Sequence, residues 1–206
     1  MDLQFVEHIQ DPKLPTLFLF HGYGSHMMDL HGLAPYLPVN TVCFQAPHDT
    51  GFGGYAWYPI YWDDEENRIK PEEVVEAQER VFANVTEYMA DRPELNPSYL
   101  LGGFSQGAIM SMGMYIKNIG NPVGIVAMSG YVPEPWIRAN APLRDLPLFQ
   151  SHGTEDPTIP YSWAKSGADY LSNNPSAVFH TYSMGHSINE KCLTDLVAFL
   201  LPFRQE

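Results

Sequence analysis

Cysteine is nearly absent from this 206-residue chain, which carries only Cys43 and Cys192. Two thiols make no disulfide framework, and the expectation is two buried, reduced side chains. Basic residues are scarce as well. Eleven Lys and Arg stand against 24 Asp and Glu, a formal net charge of −13. Nucleic acid and anionic membranes repel such a surface, so neither is expected as a partner. The charge names no substrate, because an acidic surface already serves solubility. No apolar run approaches the roughly 18 residues that a membrane span needs. The N-terminal stretch Met1-Asp2-Leu3-Gln4-Phe5-Val6-Glu7 has no basic region followed by an apolar one, so no signal peptide is read and a cytoplasmic protein is expected. There is no repeat, low-complexity segment or linker. Residues 1–206 therefore read as one domain, long enough for one sizeable core.

What the chain does have is Gly103-Phe104-Ser105-Gln106-Gly107, placed between the apolar run at Ser98–Leu101 and a helical stretch from Ala108 to Lys117. A chain that leaves a strand and enters a helix within about one residue forces the central serine into a strained turn. Glycines flank it because side chains there would clash. The serine hydroxyl is then presented at a helix N-terminus, beside the backbone N–H of Gln106, which is suited to stabilise an oxyanion.

The remaining segments alternate in the same way. Residues 3 to 9 suit a first or edge strand, and Thr16–Phe20 and Thr41–Gln45 are continuous apolar runs of the kind buried on both faces. Met27–Leu37 reads as a helix between them. Residues 46–70 break the pattern with Pro47, Gly51, Gly53, Gly54 and Pro59 among Phe52, Tyr55, Trp57, Tyr58, Tyr61 and Trp62. Irregular loops of such length are often functional. This one reads either as the wall of a substrate pocket, with Trp57 the candidate wall residue, or as local packing or a subunit interface. Pro71 opens a clear amphipathic helix. Strands follow at Val123–Met128, Leu146–Ser151 and Ala177–Tyr182, with helices at Pro160–Asn173 and Asn189–Leu201. Apolar strands alternating with helices imply an α/β fold, a mostly parallel doubly wound sheet covered on both faces. Only a short proline-rich connection separates Met128 from Leu146, so no cap domain is expected and the site should be open.

In such sheets, sites form beyond the carboxyl ends of the strands. Ser105, Asp156 and His186 each follow one. Their order, nucleophile then acid then base, is that of the α/β-hydrolase arrangement. A serine hydroxyl needs a base to become a nucleophile, and imidazole titrates in the right range. A carboxylate on the other ring nitrogen holds the tautomer and stabilises the imidazolium. The competitors are weaker. His21 and His152 precede glycines at strand ends and read as packed, hydrogen-bonded residues. Glu155 adjoins Asp156, whose turn Pro157 stiffens, and Asp145 precedes its strand at the wrong end. His26 and His31 are five apart and share no helix face, so no metal site is expected. The loop after Phe20 supplies the second oxyanion donor in this architecture, and the backbone N–H of Tyr23 is the candidate.

Further residues carry a family resemblance. They are His21-Gly22-Tyr23-Gly24, Ala46-Pro47, Trp57-Tyr58, Gly103 to Ala108, Met128-Ser129-Gly130, His152 to Pro160, and Gly185-His186. In these the chain resembles the phospholipase/carboxylesterase family, which includes acyl-protein thioesterases and small bacterial carboxylesterases. The resemblance implies an α/β-hydrolase fold without a cap, hydrolysis of carboxylic esters, no cofactor and frequent homodimers. It also supports Tyr23 and Gln106 as oxyanion donors. Ser25 stands where the family usually has aspartate. The reading is a serine carboxylesterase that hydrolyses small-molecule esters of short to medium chain length through an acyl-enzyme on Ser105. An acyl-protein thioesterase or lysophospholipase with the same triad is the nearest alternative, and a non-catalytic binding protein of this fold a distant one.

Overall fold

The computed structural model describes residues 1–63 and 69–205, so residues 64–68 of the expected irregular loop lie outside the described residues. Seven strands form one sheet: β1 (Phe5–His8), β2 (Thr16–Phe20), β3 (Asn40–Phe44), β6 (Tyr99–Phe104), β7 (Gly124–Met128), β8 (Leu148–Gly153) and β9 (Ala177–Tyr182). Their spatial order is β1-β3-β2-β6-β7-β8-β9. All neighbours pair in parallel except β1, which runs antiparallel to β3 at one edge. The remaining strands, β4 (His48–Asp49) and β5 (Tyr55–Ala56), make a two-residue antiparallel pair inside the loop that the sequence left irregular.

The strand pattern explains why the sheet is sandwiched. Along β2 every residue is buried, yet alternate side chains serve different cores. Phe18 and Phe20 join Val81 and Val85 of α2 (Pro71–Ala90), Ile109 and Met112 of α3 (Gln106–Ile116), Trp136 of α4 (Glu134–Ala139) and Leu171 of α5 (Tyr161–Leu171). Leu17 and Leu19 join Leu30 of α1 (Met27–His31) and Leu196 and Leu200 of α6 (Glu190–Leu200). The helices thus split between the two faces, as a doubly wound sheet requires. Helix α3 is buried along its whole length. At Gly113 an added Cβ would stand 2.1 Å from Gln78 Nε2 and 2.6 Å from the Trp136 ring, so that glycine admits neighbouring helices rather than the sheet.

Two elements differ from the sequence reading. The helix expected over Met27–Leu37 stops at His31, with Gly32 as its cap, and resumes as a single tight turn at Ala34–Tyr36. Gly32 and Pro35 shorten it. The proline-rich connection after β7 contains α4, which Pro133 and Pro135 start rather than prevent. Among the described residues, no cap domain covers the sheet. Among the described residues, no helix is long and apolar enough to cross a membrane.

Candidate active site

The strand order reverses direction at β2. From there the chain adds β3 on one side, then crosses to β6 and continues outward through β7, β8 and β9. The carboxyl ends of β2 and β6 flank this switch point, where parallel sheets leave a crevice.

Ser105 occupies the turn between β6 and α3 at φ 54° and ψ −115°. This positive φ is costly for a residue with a Cβ and is held only because its surroundings enforce it. The Ser105 N–H donates to the Met128 carbonyl at 2.9 Å, and the Ser105 carbonyl accepts the Ile109 N–H at 3.1 Å. An added Cβ at Gly107 would sit 1.9 Å from the Phe20 carbonyl oxygen, and at Gly103 2.5 Å from the same atom. The glycines therefore let the turn press against the end of β2. The serine hydroxyl makes no capping bond to its own helix.

Asp156 follows β8, and its side chain is fully buried. Its Oδ1 accepts the backbone N–H groups of Thr158 and Ile159 at 2.8 and 2.9 Å, and its Oδ2 lies 2.7 Å from His186 Nδ1. Burial alone would raise this carboxyl. The His186 hydrogen bond and the two backbone N–H donors outweigh it and hold the group below its ordinary 3.8. His186 follows β9, and its ring rests on Phe104 with centroids 4.8 Å apart. Ser105 and His186 line one cleft of about 190 Å³. No hydrogen bond joins their side chains in this structure, a contact that commonly tightens only around substrate.

The structure thus gathers all three candidate catalytic residues from three strand ends, and none of their competitors lines the cleft. Glu155 is exposed, accepting from Ser183 Oγ at 2.6 Å. Asp145 is exposed ahead of β8. His21 is buried as a neutral imidazole. Its Nδ1–H donates to the Gly22 carbonyl at 2.8 Å, and its Nε2 accepts the Ala46 N–H at 3.1 Å. His152 is equally buried, its Nε2 3.0 Å from the Ile159 carbonyl. No group of three His, Cys, Asp or Glu among the described residues is placed to hold a metal ion.

Gly22 lies so close to the turn at Ser105 that a Cβ there would be 3.3 Å from Ser105 Cβ. The next residue, Tyr23, borders the cleft, as does Gln106. As the first residue of α3, Gln106 has a backbone N–H without an intrahelical acceptor. Trp57 falls in a different place from the one expected of it. It is 1% exposed and absent from the cleft lining, which its neighbour Tyr58 joins instead. Trp62, also in the aromatic loop, supplies a further wall, with its ring edge-on to Tyr23. Ile109, Tyr131 and Trp163 are also part of the lining and went unmarked in the sequence. They come from α3, the segment after β7 and α5, and each reads locally as an ordinary apolar residue.

The fold and the sequence both have counterparts among known proteins. A family model described as Phospholipase/Carboxylesterase matches residues 1–202. Acyl-protein thioesterase 1 of Kluyveromyces lactis is 26% identical over 212 residues, covering 92% of each chain. Acyl-protein thioesterase 1 of Debaryomyces hansenii is 28% identical over 178 residues, covering 81% of this chain and 72% of that one. The crystal structure of esterase PE8 superposes with a TM-score of 0.85 at 25% identity, over 98% of this chain and 100% of that one. The Bacillus cereus carboxylesterase shares the fold at a TM-score of 0.82 and 18% identity, over 98% of this chain and 95% of that one. The class is therefore that of the serine hydrolases with an α/β-hydrolase fold. Within it, the chain belongs to the phospholipase/carboxylesterase family.

Proposed function

We propose that residues 1–206 act as one domain that hydrolyses carboxylic esters of short to medium chain length through an acyl-enzyme on Ser105. His186 takes the Ser105 proton as Oγ attacks the ester carbonyl carbon. The tetrahedral oxyanion is received by the backbone N–H groups of Tyr23 and Gln106. His186 then returns the proton to the departing alcohol, and water, deprotonated in its turn by His186, releases the acid and frees the serine. Asp156 keeps the imidazole in the tautomer with Nδ1–H and balances its charge when protonated. The observation that carries the reading is the juxtaposition, in one cleft, of a serine held at φ 54° with a histidine that packs on Phe104 and is bound at 2.7 Å to a buried, hydrogen-bonded carboxylate.

The size of the substrate is argued from the cleft. Its volume of about 190 Å³ is below the roughly 300–1,000 Å³ of sites for drug-sized ligands. Its walls are Ile, Tyr and Trp side chains, suited to a small apolar acyl group. Acyl thioesters are the second reading, favoured by the relatives named acyl-protein thioesterase, and lysophospholipids follow from the family's name. All three share the triad chemistry and differ in the leaving group.

The test compares kcat/KM for p-nitrophenyl esters, acyl thioesters and lysophospholipids in the wild-type protein and in Ser105→Ala. Turnover of short esters, lost in Ser105→Ala together with labelling by a fluorophosphonate probe, is expected. Retention of activity in a folded, pure Ser105→Ala sample would remove the reading.

A further inference from the structure

The two proposed oxyanion donors belong to different parts of the chain: Tyr23 follows β2, and Gln106 opens α3. Their N–H groups act together only if the gap between them is held to a fraction of an ångström. The segment Tyr55–Tyr58 lies against both. On the α3 side, Gln106 Oε1 accepts the Trp57 N–H at 2.9 Å, and Gln106 Nε2 donates to the Tyr58 carbonyl at 2.8 Å. On the β2 side, the Trp57 indole N–H donates to the His21 carbonyl at 2.9 Å. The Gly24 N–H donates to the Tyr55 carbonyl at 2.9 Å, and the Tyr55 N–H to the Ser25 carbonyl at 2.8 Å. The Trp57 ring packs against those of Phe20 and His21, with centroids 5.5 and 5.4 Å away. Trp57 and Gln106 are 1% and 2% exposed, so water does not compete for these bonds.

We infer that residues 55–58 are a brace that sets the spacing of the oxyanion donors, with Trp57 its pin and the Gln106 side chain its fastening. Both are positioning residues for the ester hydrolysis proposed above, on which this inference rests. The residue whose backbone N–H faces the oxyanion is the one whose side chain grips the brace, so a shift of the brace moves that N–H. The orientation of the amide is dictated by its partners, an N–H on one side and a carbonyl on the other. Tyr58, held by the same amide, lines the cleft. Substrate wall and oxyanion hole are therefore one rigid unit.

Two substitutions test this without touching the donors. Trp57→Phe keeps an aromatic ring and the backbone N–H, and it deletes the indole donor together with the fused five-membered ring that carries it, leaving a small buried gap. Gln106→Met keeps the backbone N–H of the hole and deletes both side-chain bonds. For each, kcat on a short p-nitrophenyl ester should fall about 10-fold with KM held within about 2-fold. Affinity for a trifluoromethyl ketone, whose hemiketal carries an oxyanion, should fall in step with kcat/KM. Affinity for the matching ether, which only fills the cleft, should stay unchanged. Wild-type kcat and ketone affinity in a folded Trp57→Phe protein would overturn the inference, whatever becomes of Gln106→Met. Equal weakening of ketone and ether would overturn it too, making Trp57 part of the cleft wall. Full activity in Ser105→Ala, measured alongside, would instead sink the esterase mechanism itself.

Discussion

Asp156 Oδ2 lies 2.7 Å from His186 Nδ1 and 3.4 Å from His152 Nε2, so one buried carboxylate oxygen faces two imidazoles. The two rings are not equivalent. His186 borders the cleft, whereas His152 is wholly buried and turns its Nε2 to the Ile159 carbonyl. Burial pushes His152 below its ordinary 6.5. It therefore serves the acid's loop as a neutral donor, leaving the nearer contact to His186.

Removing the charge of Asp156 should hurt catalysis more than folding. In Asp156→Asn the amide can still accept from Thr158 and Ile159 but no longer stabilises an imidazolium. A loss of about 10³–10⁴ in kcat on a short p-nitrophenyl ester is expected, with KM little changed. A loss under 10-fold in a folded protein would contradict the proposed role.

Stability should decline in weak acid, and the direction follows from His21. Burial lowers this imidazole from 6.5 to about 4, against the small opposing effect of its bond to the Gly22 carbonyl. Between those values the unfolded chain binds a proton that the folded one refuses. The contribution is thus fully present above about pH 6.5 and lost as pH falls towards 4, reaching about 3 kcal/mol. His152 adds to the same trend. The Asp156 carboxyl, held below 3.8, acts only at still lower pH. Urea unfolding of wild type and His21→Gln across pH 4–7 checks this; the variant should show the shallower slope.

Gly54→Ala should damage turnover. An added Cβ would stand 1.9 Å from the Gly24 carbonyl oxygen, and Gly24 adjoins Tyr23. The backbone must shift beside Tyr23, the proposed oxyanion donor, so kcat should drop about 10-fold or more. Gly51→Ala is the contrast, strained at φ 78° but with open space around it. It should cost about 1 kcal/mol of stability and leave kcat intact. Equal kcat losses would argue against the placement of the donor.

Ile109→Ala should widen the cleft, since Ile109 is 3% exposed and lines it beside Ser105. The ratio of kcat/KM for a longer acyl ester over a shorter one should rise about 10-fold. Thermal unfolding should register a cost of about 2–4 kcal/mol. An unchanged chain-length profile would place the acyl group elsewhere.

Much of this was legible in the linear chain because it is local. The turn at Ser105 needs a strand before it, a helix after it and glycines on both sides, all within a few residues. Burial of both sheet faces was visible in Thr16–Phe20 because Leu17 to Phe20 is apolar without a break. Helix α1 was overextended because the apolar spacing of Leu30, Leu33 and Leu37 outweighed the breaking effect of Gly32 and Pro35. Helix α4 was missed because prolines that open a helix look the same in sequence as prolines that exclude one.

The sequence by itself determined the strained turn at Ser105, the class of fold and the chain order of the candidate residues Ser105, Asp156 and His186, since each rests on short-range periodicity or turn chemistry. Only the tertiary structure decided which aromatic residues line the cleft. Trp57 and Tyr58 are adjacent and equally buried, yet the first ties β2 to α3 and the second faces the cleft. That division depends on what stands opposite each ring, and the opposing groups come from chain segments tens of residues away.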